Sequence, residues 1–322
     1  MTSEAKRSVR VGLLLQAKPE VSGYQGTAQV NGPLEVITPN ALPLTKSMYH
    51  QIGSASHRLW FPRDETVSFR NIGWMVNTCA DADEYELALE NFAGAFDQIK
   101  IPVLNHPSHV LASRRDRLRQ ILDGVSGLIV PKSVRFQPDT PEAFRTVFRT
   151  GSFEYPVMVQ MPASSDLKLC VMIQSDEDWD RIFTLPWGGR NVYMTQSVKH
   201  SVKATFAVTP FGARLGNVDA PEGIDGDIAL TKRLTQSKRV QHIAAEIRSR
   251  IPLDIFGIEL GLQGDDQFVL LNLSAAMSFE MPDGGTPSHR LQQKKRFREI
   301  ERDIWKTLKY VTKIPFKVQL SL

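Results

Sequence analysis

Leu253 to Met277, LDIFGIELGLQGDDQFVLLNLSAAM, consists of two apolar runs rich in Ile, Val, Leu and Phe on either side of the polar Gly264-Asp265-Asp266-Gln267. Runs of this length around a Gly-Asp pair predict a β-hairpin. Strand alternation then sorts the side chains. On the first strand Ile255, Gly257, Glu259 and Gly261 share one face, and Phe256, Ile258, Leu260 and Leu262 share the other. On the second strand Phe268, Leu270, Asn272 and Ser274 align against Val269, Leu271 and Leu273. Glu259, Asn272 and Ser274 are therefore expected to meet on one face, while Ile258 and Leu270 are expected in the core. Apolar strands carry oxygen-bearing side chains where something hydrogen-bonds or ligates them, and a hard cation or a polar network would both serve.

The order Gly-Ile-acid, turn, apolar strand, acid-x-Asn, small, small, Met resembles the C-terminal metal-binding hairpin of ATP-grasp proteins. There an Asp or Glu, then a Glu and an Asn two residues on, hold magnesium against ATP phosphates. In this resemblance Glu259 stands at the first acid, Asn272 at the Glu and Ser274 at the Asn, so these three are the candidate metal ligands. Asn and Ser still offer oxygens to a hard ion, but one carboxylate has gone. Loss of an outer partner alone weakens a metal by roughly 10- to 100-fold, and a directly bonded carboxylate matters at least as much.

Upstream, Ile72–Val76 reads as a strand, Glu84–Phe96 as a helix, Ile101–Leu104 as a strand and Arg114–Leu122 as a helix, the alternation of an open α/β sheet. VNTCADADEYELAL, IPVLNHPSHVLASRRDRLRQIL and GLIVPKSVRF in that order resemble the pre-ATP-grasp domain and linker of a bacterial ATP-grasp group. Asn105, Pro107, Ser113, Arg115, Asp116 and Pro131 fall on its landmarks. By themselves, Arg115 and Asp116 read as a solvated helix face.

Phe153–Met161 and Leu169–Gln174 read as two strands joined by PASSDLK, Pro162 to Lys168. At this place the family has a Lys or Arg at the strand end and a glycine-rich loop over the phosphates, because backbone N–H groups need a close, Cβ-free approach to anionic oxygens. This chain has Gln160 and no glycine. The resemblance makes Lys132, Gln160, Lys168 and Lys199 the candidate nucleotide contacts, with Ser164 and Ser165 beside Lys168. Asn191–Val202 resembles the strand and linker that contact adenine, but Lys199, His200 and Lys203 replace its acid, and Thr205 or Phe206 stands where the group has an arginine.

The remaining features bound the protein's class. Its 322 residues, 42% hydrophobic and 23% charged, suit a soluble globular protein with two or three substructures. A formal charge of +4 is too small an excess to argue nucleic-acid binding. Cys79 and Cys170 read as two reduced, buried thiols of a cytoplasmic protein. No run of about 18 apolar residues is present. The stretch from Lys18 to Arg70 carries five prolines and reads mostly as loop, with Leu34–Thr38 as its one strand, and is a candidate dimer or partner surface. Helices are expected around Val240–Ile247 and from Arg290 to Val311, the latter with Phe297, Ile300, Ile304, Leu308 and Val311 inward and a basic outer face offset by Glu299, Glu301 and Asp303. Phe316–Leu320 is expected as an edge strand.

The resemblance implies an α/β (α+β) fold: a pre-ATP-grasp-like domain over 1–127, a central ATP-grasp-like subdomain over 128–202 and a C-terminal one over 203–322, forming a cleft. Three functions follow. The first choice is a binding or partner subunit that kept the fold while its ATP and Mg2+ site eroded, taking a small molecule or peptide in the cleft, alone or as a homodimer. The alternative is an active ATP-dependent carboxylate–amine ligase in which Asn272 and Ser274 hold the ion beside Glu259 while Lys132 and Lys168 contact phosphates. The third is an unrelated α/β protein in which Glu259 and Asn272 bond each other. A hydrolase is disfavoured because no GxSxG elbow exists.

Overall fold

The computed structural model describes residues 11–18, 42–62, 71–96, 99–162, 169–187, 189–219, 227–264, 267–276 and 287–313. These residues form three sheets. In the first, β1 (Val11–Ala17), β2 (Ser56–Phe61), β3 (Ile72–Asn77) and β4 (Val103–Leu104) are all parallel, in the order β2-β1-β3-β4. Leu13, Leu14 and Leu15 are all fully buried, as a strand covered on both faces requires. The stretch expected to be mostly loop supplies β2 and the helix Lys46–Ser54, whose Met48 and Ile52 are buried and whose N-terminus Thr45 caps. β2 exists because it pairs with β1, a long-range partner that local composition does not reveal. Leu34–Thr38 and Phe316–Leu320 lie outside the described residues.

The central sheet is β6 (Ser133–Phe136), β7 (Val157–Gln160), β8 (Cys170–Ile173) and β9 (Val192–Gln196), antiparallel in the order β6-β9-β7-β8. It packs with the helices Pro141–Thr150 and Trp179–Phe183 around its own aromatic core of Phe144, Phe153, Trp179 and Trp187. On β8, Cys170 and Met172 alternate onto the face turned away from this core and are exposed, while Ile173 is buried in it. Both cysteines are free, but only Cys79 is buried, which corrects the expectation for Cys170.

The third sheet runs β11 (Gly212–Asp219), β10 (Val202–Thr209), β12 (Phe256–Gln263), β13 (Gln267–Ser274) and β5 (Leu128–Ile129). The expected hairpin is β12–β13, antiparallel, with Gly264 in the left-handed region at φ 67° in its turn. Ile258 is 0% exposed and Leu270 3% exposed, so both are core residues. Register departs from simple alternation at one point. Glu259 opposes Asn272 but Leu260 opposes Leu270, so Leu271 is an unpaired extra residue. The helices Lys238–Arg250 and Pro287–Thr312 cover this sheet, and Phe297, Ile300, Ile304, Leu308 and Val311 of the latter are buried. Two of its acids, expected on the solvated face, turn inward instead: Glu301 and Asp303 are buried, and Asp303 binds Arg214 at 2.7 Å and Lys306 at 3.3 Å. The first and third sheets share one continuous hydrophobic core, separate from that of the central sheet.

Candidate functional site

Between the central and third sheets lies a cavity of about 320 Å3. The central sheet lines it with Met158, Gln160, Met172, Thr195 and Gln196, and the third sheet with Lys203, Glu259, Leu270, Leu271 and Asn272. Leu118, Val130 and Pro131 add apolar wall, and Arg115 is part of the lining. His200 lies over Gly261, where a Cβ would come within 2.7 Å of the imidazole, so the absence of a side chain at Gly261 lets the ring reach the cavity rim.

Sequence reasoning misassigned Arg115. It is the first residue of the helix Arg115–Ile121, a position whose side chain projects back past the helix N-terminus, here into the cleft. Its Nη2 donates to Asn272 Oδ1 at 3.4 Å. The orientation of the Gln160 amide that satisfies both its ends places Oε1 3.1 Å from Nη1 and 3.3 Å from Nη2. Burial pushes the guanidinium pKa down, with Tyr193 and Glu259 acting against that shift, yet arginine stays charged across the physiological range. The available signal was its place in the landmark order, not its local character. Asp116 turns away and holds Arg114 at 2.9 Å.

The sequence-predicted ligands are brought only partly together. Glu259 and Asn272 face each other across the hairpin and both line the large cavity. Glu259 Oε2 lies 3.8 Å from the Lys203 ammonium, a half-exposed and therefore weak ion pair. Ser274 opposes Gly257 and lines a second, smaller cavity, where its Oγ accepts from the Ala276 N–H at 3.0 Å. The described side chains thus offer a divalent cation one carboxylate, already beside an ammonium and sharing its wall with a guanidinium. Among the described residues there is no cluster of three His, Cys, Asp or Glu of metal-binding geometry.

Of the expected nucleotide contacts, Gln160 lines the large cavity. Lys132 is turned onto the end of the helix Pro141–Thr150, donating to the Gly151 and Ser152 carbonyls and lying 5.1 Å from the Phe153 ring centroid. Lys199 is exposed and outside the cavity lining. Ser164, Ser165 and Lys168 lie outside the described residues.

The smaller cavity, about 80 Å3, shares Arg115 and Asn272 with the larger one and adds Asp81, Asp83, Ser113, Arg114 and Tyr193. Here the central sheet meets the first unit through charge rather than apolar packing. Tyr193 donates to Asp83 Oδ1 at 2.5 Å, Arg135 lies 3.4 Å from the same oxygen, and Arg135 and Arg114 both grip Glu86. Glu86 is held below its ordinary pKa, chiefly by the hydrogen bond from Arg135. Asp83 goes the other way: burial, reinforced by Asp81, raises it to about 6 against the opposing pull of Tyr193, Arg135 and Arg114.

No family model matches the sequence, and no curated protein matches it. Solved structures do. A RimK domain protein, ATP-grasp, from Sphaerobacter thermophilus aligns at TM-score 0.52 and 14% identity, over 92% of this chain and 99% of its own. N5-carboxyaminoimidazole synthase from Aspergillus clavatus, in complex with ADP and 5-aminoimidazole ribonucleotide, aligns at TM-score 0.50 and 12% identity, over 97% of this chain and 79% of its own. Such identities speak to architecture alone, and the architecture agrees with the parallel first sheet, the central antiparallel sheet and the hairpin-centred third sheet described above. The chain therefore has the ATP-grasp fold.

Proposed function

We propose that this chain is a cytoplasmic, non-catalytic binding protein or partner subunit, its three units divided near residues 127 and 202, whose inter-lobe cleft takes a small molecule or peptide after erosion of the ATP and magnesium site. The observation that carries this reading is the pair of cations on the hairpin's ligand face: Lys203 at Glu259 and Arg115 at Asn272. Magnesium is bound by anionic oxygens that offset its dehydration, and two positive charges beside a single carboxylate disfavour it. Phosphoryl transfer depends on metal and cations converging on the transferring group. Here one expected cation, Lys132, is committed to the Gly151 and Ser152 carbonyls.

The test is a thermal melt with ATP, with and without magnesium. A site of micromolar affinity, filled at about 100 times its dissociation constant, stabilises a fold by about 2.7 kcal/mol. The expected result is no magnesium-dependent rise. A strong magnesium-dependent rise would refute the eroded-site reading and favour an active carboxylate–amine ligase using Glu259, Asn272 and Ser274.

A further inference from the structure

We infer that Arg115 stands in for the divalent cation of this cleft, so that the two cavities it borders form one metal-independent site for a small organic anion, a carboxylate or phosphate group on an apolar body. The inference rests on the eroded-metal reading and names the ligand class of the same site.

Its basis is the set of contacts around the guanidinium. Among the described residues, the hydrogen-bond partners of Arg115 are the neutral amides of Asn272 and Gln160. The nearby carboxylates have other partners: Glu259 has Lys203, Asp83 has Tyr193 and Arg135, Asp116 has Arg114, and Asp81 accepts from the backbone N–H groups of Asp83 and Glu84. An enclosed cation with no described carboxylate in ion-pair contact is costly to the fold unless an anion completes it. Lys203 and Glu259 offset each other, which leaves the Arg115 charge at the junction of the cavities without a described carboxylate in ion-pair contact, although Asp81 and Asp83 line the same smaller cavity. That charge matches a single anionic group and not a metal-free triphosphate. The larger cavity supplies the apolar remainder of the site through Leu118, Val130, Met158, Met172 and Leu270. A planar guanidinium is also suited to bidentate contact with carboxylate or phosphate oxygens.

The probes are adenosine monophosphate and inorganic phosphate, each titrated against the full chain in EDTA and again in magnesium chloride, with sodium chloride at matched ionic strength as control. The variants are Arg115→Met, which removes the cation, and Asn272→Glu, which provides it with an internal carboxylate. Both probes are expected to raise the melting temperature equally with and without magnesium. Each variant is expected to melt above the natural protein when no anion is present, and to bind adenosine monophosphate about 10- to 100-fold more weakly, the scale of lost charge-assisted hydrogen bonds. A rise that needs magnesium overturns both this inference and the eroded-site reading. No rise with either probe overturns this inference alone and leaves that reading standing. If both variants melt below the natural protein, Arg115 is a structural residue and the inference fails.

Discussion

Asn105→Ala is expected to lower the unfolding free energy by about 3 to 5 kcal/mol, measured by urea denaturation at neutral pH. Asn105 is fully buried, and its side chain joins the first unit to the start of the hairpin. Its Oδ1 accepts from the backbone N–H groups of Asp254 at 2.8 Å and Ile255 at 3.0 Å, and its Nδ2 donates to the Ile255 carbonyl at 2.7 Å. Truncation leaves two buried donors and one acceptor without a partner, at about 1 to 3 kcal/mol each before relaxation. Asn105 also sits at φ 50°, a left-handed conformation that Asn tolerates and Ala resists by about 1 kcal/mol. Asn105→Gly separates the two causes, since it relieves the backbone while losing the same hydrogen bonds. It is expected to recover only about 1 kcal/mol relative to Ala. Full recovery with Gly would mean that the hydrogen-bonded junction contributes nothing. Because Ile255 leads directly into β12, this junction also sets where Glu259 stands relative to Arg115.

Asp83→Asn is expected to stabilise the protein at pH 7.5 by about 3 kcal/mol while leaving its stability near pH 4 almost unchanged. Burial raises Asp83 from an ordinary 3.8 to about 6, so the folded state resists its ionisation more than the unfolded state does. A carboxyl shifted upward contributes stability that is complete below pH 3.8 and is lost as pH rises through about 6. The natural protein should therefore lose stability between those values, and Asp83→Asn, which retains an acceptor for the Tyr193 hydroxyl, should flatten that part of the profile. Identical slopes for the two proteins between pH 4 and 7 would show that Asp83 ionises freely in the fold.

The sequence by itself determined the elements whose signal is local. The β12–β13 hairpin was legible from its alternation and turn residues, and the last helix from its stripe ending at Val311. The order of segments from Ile72 to Met277 resembled the ATP-grasp pattern closely enough to suggest the architecture that the solved structures share. Tertiary structure decided what depends on distant partners. β2 forms only against β1, and β5 joins the third sheet through Phe268 and Val269. The unpaired Leu271 redirects side chains that strict alternation placed otherwise. The same holds for charge: Arg115 and Asp303 read locally as solvated, yet one is turned into the cleft and the other binds Arg214 inside the fold. Burial and partner distance set the energy of an ionised group, and both are properties of the folded chain and not of its neighbours in sequence.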